Sequence, residues 1–177
     1  DPSANQGRGQ WTDLLPGGVQ AGESDVRSLA YDNGFLYAGT GTKNPSIVRI
    51  NTSTNAATRL SVPSRVTAGL SHLERLQVKA GNLYVGTSVP GGVRPTCGGT
   101  CVLDPATGAQ KMKDGKPLEV GTWSSQVVTR PGEAEKVYYT VQSHNTPTLQ
   151  EYDPRTNTSR TLAQGLASTA RPSQSSW

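Results

Sequence analysis

The sequence predicts an all-β fold of repeated four-stranded antiparallel sheets. Three observations predict it. Only 33% of the 177 residues are hydrophobic, with one Phe and one Met, too few for a Leu-rich helical bundle or a coiled coil. Twenty Gly and twelve Pro punctuate the backbone, as many short strands and turns require. One strand–turn–strand grammar recurs three times at a spacing near 50 residues. Charged residues are 17% and the formal net charge is +4, so the chain lacks the charge of an expanded, disordered polymer.

The first unit holds strands at 26–31 and 35–40 around Asp32-Asn33-Gly34, then strands at 47–51 and 57–60 around 52–55. The second holds 73–78 and 83–87 around Ala80-Gly81-Asn82. After an insertion come 101–104 and the turn Asp104-Pro105-Ala106-Thr107-Gly108. The third holds 126–129 and 137–141 around Pro131-Gly132-Glu133, then 149–153, the turn 154–157 and 158–162. The step from Tyr37 to Tyr84 is 47 residues and from Tyr84 to Tyr138 is 54. From Asn51 to Asp104 it is 53, and from Asp104 to Asp153 it is 49.

Leu36-Tyr37-Ala38-Gly39-Thr40 and Ile47-Val48-Arg49-Ile50 alternate or run continuously apolar, as strands buried between layers do. Asn33, Gly34, Gly81 and Asn82 tolerate the positive φ of tight hairpins. In the 104–108 turn, Pro105 fixes φ early and Gly108 closes the turn. Small Gly39 and Gly86 allow close approach of neighbouring sheets.

The Leu83-Tyr84-Val85-Gly86-Thr87 strand and the Asp-Pro-x-Thr-Gly turn at 104–108 resemble the blades of bacterial β-propellers of the quinoprotein-like and YVTN type. The resemblance covers about 22–165. It implies blades at about 22–68, 69–121 and 122–165, with the start of a further blade at 166–177 and a flexible N-terminus at 1–9. Residues 10–15, with Trp11, offer one more strand. Propellers usually have four to eight blades, and about three and a half are present. An open arc exposes sheet faces meant for neighbours. The expected partner is a second chain or a second copy that completes the ring; a four-bladed ring with a thin last blade is the alternative.

The pI is near 9.2, but Lys and Arg are scattered without the clustering of a nucleic-acid face, so no nucleic-acid partner is expected. No apolar run reaches a membrane span. The start resembles the segment left after removal of a secretory signal, and a secreted location is expected. Cys97 and Cys101 flank Gly98-Gly99-Thr100, a spacing that suits a local disulfide in an exported chain. Asn51-Thr52-Ser53 and Asn157-Thr158-Ser159 match the glycosylation sequon. Zinc would want more ligands than these two cysteines, His72 and His144 at these spacings. No Gly-rich phosphate loop precedes a helix. No metal or other cofactor is expected.

The resemblance implies that ligands gather at the loops between fourth and first strands and between second and third strands. Aligned on the repeat, Asp25, His72 and Ser125 mark equivalent entries to first strands. The second class of loop holds Lys43, Arg94, Cys97 and His144. Candidate ligand-binding residues are Asp25, Lys43, Arg94 and Trp123, the last able to stack on a sugar ring. Trp11 and Trp177 could stack likewise, but in propellers such residues, Trp123 included, more often wedge between blades. The expected function is an extracellular binding or scaffold module for carbohydrate or a protein partner. The alternative is a propeller polysaccharide lyase, with His72, His144 and Tyr139 as acid–base groups and Lys43 or Arg94 neutralising a uronate. Each histidine can equally serve only to hydrogen-bond a loop. A serine triad lacks the Gly-x-Ser-x-Gly elbow.

Overall fold

A computed structural model describes residues 15–19, 21–23, 25–41, 44–67, 72–88, 99–121, 124–128, 132–141 and 148–165. The first sheet contains β1 (Val26–Asp32), β2 (Phe35–Thr40), β3 (Ile47–Asn51) and β4 (Ala57–Arg59), in that order. A helical turn, α1 (Ser64–Thr67), leads to β5 (His72–Lys79), β6 (Asn82–Ser88) and β7 (Gly99–Leu103). A small hairpin of β8 (Met112–Lys113) and β9 (Lys116–Pro117) precedes β10 (Glu119–Gly121), which pairs with β7 as the fourth strand of the second sheet. The third sheet contains β11 (Ser124–Val128), β12 (Lys136–Val141), β13 (Thr148–Asp153) and β14 (Thr158–Gln164). Strand neighbours within each sheet are antiparallel.

The repeat extends to strand register. Val26 faces Thr40 and Ser28 faces Gly39, with a bulge between them. Leu73 faces Thr87 and Arg75 faces Gly86, with the same bulge 47 residues on. The extra residue restores Val26 to the face shared by Leu29 and Tyr31, and a bulge also sharpens the strand's twist. The tight turns carry two consecutive positive φ values, at Asn33-Gly34, Ala80-Gly81 and Asp114-Gly115, as right-twisted hairpins prefer. The second of these differs from expectation: Ala80 takes the left-handed position and Asn82 lies within β6.

The turn after each third strand is built by one carboxylate or amide. Asp104 Oδ1 accepts from the backbone of Ala106 and Thr107 and from the Thr107 hydroxyl. Asn51 Oδ1 does the same for Ser53 and Thr54. Asp153 Oδ1 accepts from the Arg155 amide at 2.9 Å. Four residues after each anchor, Asn55, Gly108 and Asn157 adopt positive φ. A short acceptor side chain thus fixes the turn locally, without help from the core.

Two apolar layers hold the sheets together. Tyr37 and Ile47 of the first sheet pack with Leu73, Leu76, Val78, Leu83, Val85, Cys101 and Leu103 of the second. Tyr84, Val102 and Leu118 of the second pack with Val137, Tyr139 and Tyr152 of the third. Strand alternation explains the division: in β6, Leu83 and Val85 face one neighbour while Tyr84 faces the other. The middle sheet is therefore buried on both faces. Each such large side chain contributes roughly 1.5–3 kcal/mol by leaving water.

Close contacts fix the spacing of the first two sheets. The Ser28 hydroxyl donates to the Leu73 carbonyl at 2.6 Å. A Cβ at Gly39 would meet Leu73 Cβ at 3.1 Å, and one at Gly108 would meet Leu60 Cβ at 2.8 Å. Gly39 thus permits sheet approach as expected. Gly86 instead lies against Arg75 of its own sheet.

Candidate functional site

The two ends of the arc are chemically unlike. On the outward face of the first sheet, Val26, Leu29 and Tyr31 are 45%, 59% and 64% exposed. Their counterparts 47 residues on, Leu73, Leu76 and Val78, are 0%, 5% and 7% exposed, because the first sheet covers them. The first sheet thus leaves open the β1 row that the second uses as an interface, whereas Ala38, Val48 and Ile50 on the same face of β2 and β3 are buried.

The outward face of the third sheet is polar and internally paired. Arg160 donates to Glu151 through Nε at 2.9 Å and Nη2 at 3.2 Å. Lys136 and Arg155 both bind Asp153 Oδ2, the Arg155 contact at 2.9 Å. Tyr138 hydrogen-bonds Glu151. Glu151 and Asp153 are buried. The Arg160 guanidinium holds the Glu151 carboxyl below the usual carboxylate range. Arg155 foremost, then Lys136, holds Asp153 well below it, against the opposing cost of burial. These groups frame an open cleft of about 800 Å³, also lined by Glu133, Thr156, Thr158, Ser159 and Leu162.

A third polar cluster seals the junction between the second and third sheets. Tyr84 donates to Glu135 Oε1 at 2.7 Å, and Asn82 also contacts that oxygen. Lys111 donates to Asn82 Oδ1 at 2.6 Å and to the Gly81 carbonyl. Burial, and secondarily the Glu135 carboxylate, pushes the Tyr84 phenol up.

Asp25 and His72 stand at equivalent entries to β1 and β5. Each is tied to its own strand's bulge residue, Asp25 to Arg27 at 2.8 Å and His72 to Glu74 at 3.3 Å. Tyr139 is buried between the second and third sheets, its hydroxyl 2.6 Å from Gln150 Oε1 and 2.8 Å from Ser159 Oγ. Lys43, Arg94, Trp123, His144 and Cys97 lie outside the described residues, as do Trp11, all but Leu15 of the expected strand at 10–15, and the expected further blade at 166–177. The side chain of Ser125 is likewise undescribed. Cys101 is fully buried in β7. Among the described residues no group of three or more His, Cys, Asp or Glu is placed to hold a metal ion, and no helix is long and apolar enough to cross a membrane.

Sequence reasoning missed the Glu151–Arg160 and Asp153–Lys136–Arg155 pairs. The available signal was alternation: Glu151 and Asp153 share a face of β13, and Arg160 lies opposite Glu151 on β14.

No protein-family model and no curated protein matches the chain. Among solved structures, a chain of a nidogen/laminin complex aligns with TM-score 0.52 and 18% identity, over 81% of this chain and 49% of that one. The fold is an incomplete β-propeller. The sheets described above are its blades, and this chain spans about half the length of that nidogen/laminin chain. The computationally designed Ika4 protein aligns with TM-score 0.48 and 15% identity, over 81% of this chain and 74% of that one. The designed Ika8 protein gives 0.44 and 15%, over 78% and 36%.

Proposed function

We propose that the chain is an extracellular β-propeller binding and scaffold module, and that another polypeptide docks on the exposed β1 row of its first blade. The carrying observation is the row Val26, Leu29 and Tyr31, exposed where Leu73, Leu76 and Val78 are buried. A partner with an apolar face and a small residue opposite Val26 repeats the contact that Gly39 and Ser28 make with Leu73. A second copy joined end to end would instead bring the Glu151–Arg160 and Asp153–Lys136 pairs against that apolar row. Burying paired ions there costs several kcal/mol per ion before attraction repays it.

The exported location rests on composition: Ser, Thr, Asn and Gly are abundant and Cys97 and Cys101 are closely spaced. A Cys97–Cys101 disulfide belongs to the same proposal, supported by the lack of a free thiol at Cys101. Intact mass after alkylation, with and without reductant, decides it: protection from alkylation until reduction supports the bond.

The partner is tested with a Leu29→Asp/Tyr31→Asp variant of the natively assembled protein. The expected outcome is release of the chain from a larger complex with its β-sheet circular dichroism unchanged. A complex that survives the double substitution contradicts docking at this face.

A further inference from the structure

The cleft on the third blade's outward face is distinct in place and chemistry from the apolar row on the first. We propose that it binds a neutral oligosaccharide. The proposal rests on reading the chain as a binding module, but not on a partner sheet docking at the first blade.

Three features define the ligand class. First, the charges inside the cleft are already matched. Lys136 and Arg160 are engaged by Asp153 and Glu151, and Glu133 adds a further carboxylate to the lining. A phosphate, sulfate or uronate would meet cations already neutralised and acids that repel it. Second, the pairing leaves directed donors. A guanidinium has five N–H groups and an ammonium three. Arg160 spends two on Glu151, and Lys136 spends one on Asp153. The Thr156 and Thr158 hydroxyls, 2.7 Å apart, line the same cleft. Such an array complements sugar hydroxyls, each both donor and acceptor. Third, Tyr138 and Leu162 add apolar surface to the polar lining, suited to the C–H face of a pyranose. The carboxylates hold the cations in place before binding, so little side-chain order is lost when a ligand arrives.

The test is a titration of the isotope-labelled full chain, followed by NMR, with maltohexaose, cellohexaose and xylohexaose, and with hexagalacturonate as the anionic counterpart. The expected result is saturable shifts at Tyr138, Thr156, Thr158 and Arg160 with at least one neutral glycan, and weaker binding of hexagalacturonate. Thr158→Arg, at an exposed edge-strand position, fills the cleft without removing an ion pair and is expected to weaken binding about tenfold. Three results overturn the proposal: no shift with any neutral glycan, tighter binding of the anionic one, or an affinity unchanged by Thr158→Arg. The scaffold reading is read from solution mass, so its failure and that of the glycan site register separately.

Discussion

Leu29 and Leu76 occupy the same position on successive blades, yet Leu29 is 59% exposed and Leu76 is 5% exposed. The difference is one neighbouring sheet. In the second blade, the first blade covers that row; in the first blade, nothing among the described residues does so to the same depth. One residue type at one register position thus reports whether an interface is filled.

The first prediction follows from that pair. In the isolated chain, Leu29→Ala should change unfolding free energy by no more than about 0.5 kcal/mol. Leu76→Ala should cost about 2–5 kcal/mol, because it leaves a cavity between blades. Urea unfolding of both variants measures the contrast. Equal losses would mean that the first blade's row is already buried in solution.

Much of this fold was legible in the sequence, for local reasons. The anchors Asn51, Asp104 and Asp153 announce their turns because the bonds they make lie within four residues. The Tyr37 and Tyr84 strands show their period because both faces of a sandwiched blade are apolar. The charged cleft was not legible. Glu151, Asp153 and Arg160 read as ordinary surface charges until register places them together, and Lys136 joins from a strand 17 residues earlier. The small β8–β9 hairpin was also missed, since two-residue strands leave no periodicity to detect.

The junction between the second and third blades should depend on Tyr84. Its hydroxyl donates to a buried carboxylate, and Glu135 Oε2 has no hydrogen-bond partner. Tyr84→Phe removes one donor from a group that water cannot reach. The expected loss is about 1–3 kcal/mol. Adding Glu135→Leu should recover part of it, because the orphaned charge is gone. Thermal unfolding of the single and double variants checks both signs, and a double variant no more stable than Tyr84→Phe alone would contradict this account.

Acid should weaken the third blade. Asp153 and Glu151 are held below their ordinary range by Arg155 and Arg160 respectively, foremost through hydrogen bonds. A depressed folded-state value contributes stability above the unfolded value of about 4, and that stability is lost as pH falls through the folded value. Stability should therefore drop from about pH 5 downward. An Asp153→Asn/Glu151→Gln variant should be less stable at neutral pH and should lose less on acidification. Urea midpoints across that range measure it; parallel curves for the two proteins would refute the assignment.

Two glycines with similar backbone should respond differently to alanine. Gly108 and Gly115 both have positive φ, at 81° and 73°. A Cβ at Gly115 meets nothing within 4 Å, whereas one at Gly108 meets Leu60 Cβ at 2.8 Å and Ser61 N at 3.1 Å. Gly115→Ala should cost about 1–2 kcal/mol from backbone strain alone. Gly108→Ala adds a clash where the second blade's turn meets the exit of the first, so it should cost more. Chemical unfolding ranks the two variants, and a reversed order would mean that this turn does not bear on the first blade.

The central claim is that another polypeptide docks on the exposed β1 row of the first blade. Sedimentation of the natively assembled protein, with each component's mass determined, tests it most directly. The account predicts a complex heavier than this chain alone, containing a second, different polypeptide, from which the Leu29→Asp/Tyr31→Asp variant separates. A folded, β-rich monomer of 18.7 kDa that gains no partner would contradict it.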